Sequence, residues 1–307
     1  MKSSNGFLHD FLKNKTLLVM LIPALVYIII FSYVPLAGLV VAFKDYNYID
    51  GLFKSPWNGI ENFRFFFVSG KALLITKNTI LYNISFLLTN TILNIGIAIM
   101  VAEMGGKFLK KIFQSMLFLP FFVSWVVVAS FTYNIFNYEF GVINTLFRSL
   151  HIAPVDFYGT KWLWPILLPI FNAWKYVGYE SIIYLAAIMG FDAEIYESAE
   201  IDGASVFQRI RHITLPLLTP TMILLILMAL GRILRGNFEM FYQLVGTIPV
   251  LQDSTDIIDT FVFRALVNGS DFGMASAIAF YQSVLCFVTI IVANKLVKMV
   301  RKDYALF

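Results

Sequence analysis

Six apolar runs, each long enough to cross a lipid bilayer, restrict this chain to one kind of architecture. They cover about Thr16 to Phe43, Thr76 to Ala102, Ile112 to Phe136, Trp162 to Met189, Leu217 to Val245 and Met274 to Ala293. A helix needs roughly 20 predominantly apolar residues to span the hydrocarbon core. The expected fold class is therefore all-α: a polytopic membrane protein with six transmembrane helices. Composition agrees, with 59% hydrophobic and 14% charged residues and a mean hydropathy of +0.77; a soluble domain is about half apolar and about a quarter charged. Pro23, Pro35, Pro120, Pro165, Pro169 and Pro220 fall inside these runs. Membrane helices tolerate proline where neighbours or water re-satisfy the freed backbone groups.

The net charge of +4 is no sign of nucleic-acid binding, because the cations gather at the ends of the apolar runs. With the N-terminus inside, the cytosolic segments carry Lys2, Lys13, Lys15, Lys107, Lys110, Lys111, Arg209, Arg211, Lys295, Lys298, Arg301 and Lys302. This exceeds the positive charge of the opposite loops and puts both termini in the cytosol. The N-terminal stretch is too polar for a signal peptide, and its apolar run is too long. The chain then divides into a cytosolic segment 1–15, a six-span body 16–294 with a polar loop at 191–216, and a cytosolic tail 295–307. Cys286 is the only cysteine, which excludes a disulfide framework and a cysteine-clustered metal site.

The loop between spans four and five has clear punctuation. Asp192 can cap a short helix with Glu194 in its first turn. Asp202-Gly203 stops that helix, since glycine accepts a left-handed conformation. Ser205 and Gln208 form a capping box that opens a second short helix, and Pro216 suits the first turn of the fifth span. The result is a helix-turn-helix elbow outside the bilayer. Glu194, Glu197 and Glu200 share one face; Ile195, Ala199, Phe207 and Ile210 form apolar edges. Such an elbow fits a groove on another protein, or merely joins two spans.

Residues Glu197-Ser198-Ala199, Gly203, Ile213 and Leu215-Pro216 resemble the cytosolic motif of permeases in binding-protein-dependent ABC importers. That motif is E-A-A, three residues, G, nine residues, I, one residue, L-P. Every spacing matches, and Ser198 stands for the first alanine. Tyr196, Ile201-Asp202, Ala204 and Thr214 resemble the carbohydrate-importer branch. The resemblance implies the type I permease fold with 191–216 as its coupling loop. It implies that Glu197 pairs with a basic group at the rim of an ATPase cleft and that Gly203 makes the turn. Ile213, Leu215 and Pro216 would pack the elbow on the transmembrane core, with Tyr196, Ala199 and Asp202 completing the coupling surface. The implied partners are a second, homologous permease, an ATPase dimer and an extracellular solute-binding lipoprotein, in a bacterial cytoplasmic membrane. The outer segments Lys44 to Lys77 and Gly246 to Gly273 would meet the binding protein. The implied substrate is a sugar or oligosaccharide; peptides, amino acids and metals are imported by permeases with the same elbow.

Nothing in the chain suggests an enzyme. Gly105-Gly106-Lys107 lacks the spacing and the Ser/Thr of a phosphate-binding loop. His9, His151 and His212 do not cluster, and Asp256 and Asp259 read as solvated acids. No cofactor is expected in this chain; ATP and Mg belong at the partner ATPase. Ionisable residues within spans are expensive and usually face a cavity or a partner. Candidates for a substrate path are therefore Trp174 and Lys175 in span four, Arg232, Arg235, Asn237 and Glu239 in span five, and Tyr133 and Asn134 in span three. Arg235 and Glu239 are also spaced to pair with each other, whereas Lys175 and Glu180, the two ionisable residues of span four, are five apart and do not stack as an ideal ion pair. Asn90 and Asn94 are one turn apart, as interhelical hydrogen-bond partners would be.

Overall fold

The computed structural model describes residues 15–68, 70–269, 271–300 and 303. The expectations for Lys2, His9, Lys13, Arg301 and Lys302 lie outside the described residues. Among the described residues the chain is helical throughout, apart from turns and one isolated antiparallel bridge between Lys44 and Trp57.

Among the described residues four helices are long and apolar enough to cross a membrane: α1 (Lys15–Phe43), α2 (Lys71–Glu103), α7 (Val206–Leu230) and α9 (Phe272–Val300). A bent pair, α3 (Lys107–Phe122) and α4 (Trp125–Phe136), is long and apolar enough when its two helices are taken together. Helix α5 (Trp164–Met189) has 26 residues, or about 39 Å at 1.5 Å per residue. It is less apolar than the others because it carries Asn172, Lys175, Glu180 and Ser181. Helix α5 occupies the run expected as the fourth of six spans but, unlike the others, is not apolar enough by itself to count as a crossing. The short α6 (Ala193–Ile201) forms the first arm of the elbow, and α8 (Ile258–Gly269) precedes α9.

Two runs read from the sequence as single spans are broken. The third turns by 90° between α3 and α4. Pro120 removes a backbone donor near the end of α3, while Ser124 caps α4 by accepting the Val127 N–H. Proline followed by a cap is a stop and a restart, and the uniform apolarity of the run hides it. The fifth span ends at Leu230, not near Val245. An irregular stretch follows, and Asn237 then caps a short turn, Phe238–Phe241, by accepting the Met240 N–H at 3.2 Å. Backbone freed in this break finds side chains: Gly236 N–H donates to Asp259 at 2.8 Å, and Gln282 donates to the Leu234 carbonyl at 2.6 Å. This is the condition under which irregular backbone survives at membrane depth.

At its other end α7 begins earlier than expected. It runs back to Val206 through a π turn at Ile210–Thr214, directly before Pro216. A proline inside a helix cannot donate to the carbonyl four residues back and crowds it; a wider turn relieves both faults. Pro216 therefore sits inside a helix and does not start one. Helix α9 likewise continues past Ala293 to Val300.

Helix α5 lies along α2 and also against α3. Gly178 permits the second approach, since a Cβ there would fall 1.9 Å from the Leu117 carbonyl oxygen. Three buried clusters hold the bundle. One centres on Trp125, Trp164 and Phe241, and a second on Phe66, Ile75 and Leu234. The third joins Ala98 and Val101 of α2 to Tyr184 of α5 and Leu218 of α7, next to the elbow.

Candidate functional sites: an elbow and an intramembrane cavity

The elbow forms as its punctuation requires. Asp192 accepts the Glu194 N–H at 3.0 Å, and Ser205 and Gln208 complete a reciprocal capping box. Gly203 has φ +79°. Its N–H bonds the Glu200 carbonyl at 3.0 Å, and the Ala204 N–H bonds the Ala199 carbonyl at 2.9 Å. That pair of bonds is a Schellman motif, which needs a left-handed residue at Gly203. Ala199 and Asp202 therefore sit in the last turn of α6, with Asp202 exposed.

One face of the elbow is anchored. Tyr196 Oη lies 3.1 Å from Thr214 Oγ1, and Thr214 is buried. Leu215 packs at the edge of the third cluster; Ile213 is half-buried and Pro216 exposed. Arg209 draws both arms onto the bundle, 3.1 Å from Glu200 and 3.7 Å from Glu103 at the end of α2. The sequence reading counts Arg209 only as a loop cation. The other face is open: Glu197 is exposed, with Ile195, Ile201, Val206 and Phe207 beside it. Ile201 is 86% and Phe207 70% accessible, an unusual cost for a surface with no occupant.

A cavity of about 610 Å³ lies between α2, α5, α7 and the break after α7. Arg232, Arg235 and Asn237 line it, as do Asn83, Asn90 and Asn94 of α2 and Asn172, Tyr176 and Glu180 of α5. The Asn94 amide donates to Glu180 at 3.0 Å, and that of Asn90 to Glu180 at 3.3 Å and to Asn172 at 3.0 Å. Asn90 and Asn94 thus join α2 to α5, as their spacing implies. Tyr176 Oη accepts from Asn237 at 3.1 Å and from the Trp125 indole at 3.4 Å, so it bridges both helix breaks. Asn172, Tyr176 and Glu180 recur every fourth residue and form one polar stripe on α5. That periodicity is visible in the sequence, yet of the three only Glu180 stands out there, as an ionisable residue within a span.

Other candidates lie elsewhere. Lys175, one position off the stripe, points at the first break. Its ammonium donates to the carbonyls of Phe121, at 3.0 Å, Pro120 and Val123. It also lies over the Trp125 ring, 5.4 Å from the centroid. Cations favour the carbonyl end of a helix, so Lys175 closes α3 and does not enter the cavity. Trp174 is half-exposed on the bundle surface, and Asn134 donates back to the Ser130 carbonyl at 2.8 Å. Tyr133 packs with Phe140 and Tyr158. Glu239 is exposed outside the cavity, and no ion pair joins it to Arg235 among the described residues, because the break removes the four-residue helical spacing. Asp256 and Asp259 are not solvated: Asp256 pairs with Arg264, and Asp259 accepts from Gly236 and Gln282.

Residues 94–302 match the family described as binding-protein-dependent transport system inner membrane component. The chain belongs to that family. As a member it is a multi-pass membrane subunit of a transporter, not an enzyme. It is 33% identical to Protein LplB of Bacillus subtilis (strain 168) over 93% of this chain and 89% of that protein. It is 30% identical to the polygalacturonan/rhamnogalacturonan transport system permease protein YteP of the same organism, over 94% of this chain and 89% of that protein. Its fold superposes with a TM-score of 0.86 on a chain of a bacterial ABC transporter involved in import of the acidic polysaccharide alginate. The two are 31% identical, over 95% of this chain and 98% of that chain. A second structure of an alginate transporter, in complex with an alginate pentasaccharide-bound periplasmic protein, superposes with a TM-score of 0.85 at 31% identity. That comparison covers 96% of this chain and 98% of the other.

Proposed function

We propose that this chain is the permease subunit of an ATP-driven importer for a saccharide, coupled to its ATPases through the elbow at 191–216. The observation that carries the coupling role is the two-faced elbow. Arg209, Tyr196 and Leu215 fasten one face to the bundle, and Glu197, Ile201 and Phe207 present the other to a partner. A load on the open face reaches α2 through Arg209–Glu103 and α7 through its continuous helix, and both line the cavity. The saccharide assignment draws on the relatives named above and on a cavity rich in amides, guanidinium groups and one phenol, which hydrogen-bond hydroxyls.

In this reading the elbow and both termini face the cytosol, and residues 44–77 and 246–273 meet a solute-binding protein on the far side. A second homologous permease completes the pore. Two ATPase subunits dock on the elbows and carry out hydrolysis with ATP and Mg. The test is uptake by cells expressing Glu197→Lys or Gly203→Pro at normal membrane levels. The expected outcome is loss of uptake with the permease still in the membrane; normal uptake by both variants would refute the coupling role.

A further inference from the structure

We infer that the cavity is built for a saccharide carrying carboxylate groups, with Arg232 as the principal anion-binding residue and Arg235 as the second. This rests on the reading of the chain as a saccharide permease and narrows it to anionic substrates. The observation is how the cavity distributes its charges. Arg232, Arg235 and Glu180 are the ionisable residues that line it, apart from the tyrosines. An arginine and a carboxylate in one membrane cavity should pair, since unpaired charge there is costly. They do not: Glu180 is taken up by the amides of Asn90 and Asn94. The N–H of Gly236, next to Arg235 in the chain, bonds the Asp259 carboxylate at 2.8 Å, so an acid of the chain already lies beside this arginine. The guanidinium of Arg232 has neither an ion pair nor a hydrogen bond among the described residues, and it is exposed towards the cavity.

The chain thus holds its own acid apart from Arg232 and leaves a planar, permanently charged fork facing the path. Guanidinium matches a carboxylate with two parallel hydrogen bonds. Both arginines sit in the irregular stretch after Leu230, whose backbone is held by Asp259 and Gln282. The forks are therefore presented from a fixed loop. A neutral sugar would leave Arg232 with water alone, whereas a uronate residue supplies the missing counter-charge.

The test uses the assembled importer with its binding protein in proteoliposomes, energised by ATP. The probes are a galacturonate trisaccharide and its carboxyl-reduced, neutral counterpart. Expected results are uptake of the uronate form, a loss of about tenfold or more in that uptake for Arg232→Gln, and a smaller loss for Arg235→Gln. Arg232→Lys, which keeps the charge, should retain more uptake than Arg232→Gln. Binding-protein-stimulated ATP hydrolysis in each variant reports that the complex is assembled. Uronate uptake unchanged in Arg232→Gln, or uptake of the neutral form alone, would overturn the anionic site while leaving saccharide import standing. An assembled, ATP-hydrolysing complex that takes up neither probe would overturn the saccharide reading and this inference with it.

Discussion

The ammonium of Lys175 lies 3.0 Å from the carbonyl oxygen of Phe121, at the point where the third span breaks. A lysine at membrane depth is thereby spent on structure, satisfying carbonyls that a straight helix would satisfy by itself. Lys175→Met should lower stability by about 1.5–3 kcal/mol, the worth of hydrogen bonds to a charged group. Thermal unfolding of the purified complex in detergent measures this; a midpoint equal to wild type would contradict it.

Gly178 on α5 faces the Leu117 carbonyl so closely that any Cβ would overlap it. Gly178→Val should push α3 away from α5 and cost roughly 1–3 kcal/mol by overpacking. Gly190, whose added Cβ would meet the nearest atom at 3.4 Å, is the matched control. Membrane-inserted yield and unfolding temperature of Gly178→Val against Gly190→Ala give the comparison, and only the former should fall.

Arg209 ties the two arms of the elbow to α2 through Glu200 and Glu103. In the proposed importer, Arg209→Ala should leave the subunit in the membrane and in complex with the ATPases, yet reduce transport several-fold per ATP hydrolysed. The ratio of uptake to phosphate release reads this directly. A fall in both rates together would instead mean that Arg209 acts in assembly.

Asp253 bonds Lys161 at 3.0 Å and joins the segment before α5 to the one before α8. The Lys161 hydrogen bond, then its charge, holds the Asp253 carboxyl below the usual aspartate range. A carboxyl depressed in the folded state favours folding above the unfolded pKa of about 3.9, and that contribution disappears as pH falls through the lower folded value. Lys161→Gln should raise the Asp253 titration towards about 3.9. Carbon-labelled aspartate NMR detects the shift, and an unmoved titration would deny the pairing.

The elbow was legible in the sequence because each of its signals is local. Asp192, Gly203, Ser205 and Gln208 cap or turn the backbone within a few residues, and the chain adopts what they specify. The cavity was legible only in part. Arg232, Arg235 and Asn237 stand out as polar residues in an apolar run. Glu180 stands out as a charge within span four, but Asn172 and Tyr176 needed the helical period to be applied to it. Lys175 could not be assigned from its neighbours in sequence, because its partners lie more than fifty residues away.

By itself, then, the sequence determined the helical class, the placement of the apolar helices and the elbow, since these follow from apolar length and from capping chemistry within one or two turns. Tertiary structure decided where spans three and five break, which charges face the cavity and which seal a helix end. Those outcomes depend on which distant side chain reaches a freed carbonyl or amide. Lys175 at the first break, and Asp259 with Gln282 at the second, make the difference between a continuous helix and a cavity edged by irregular backbone.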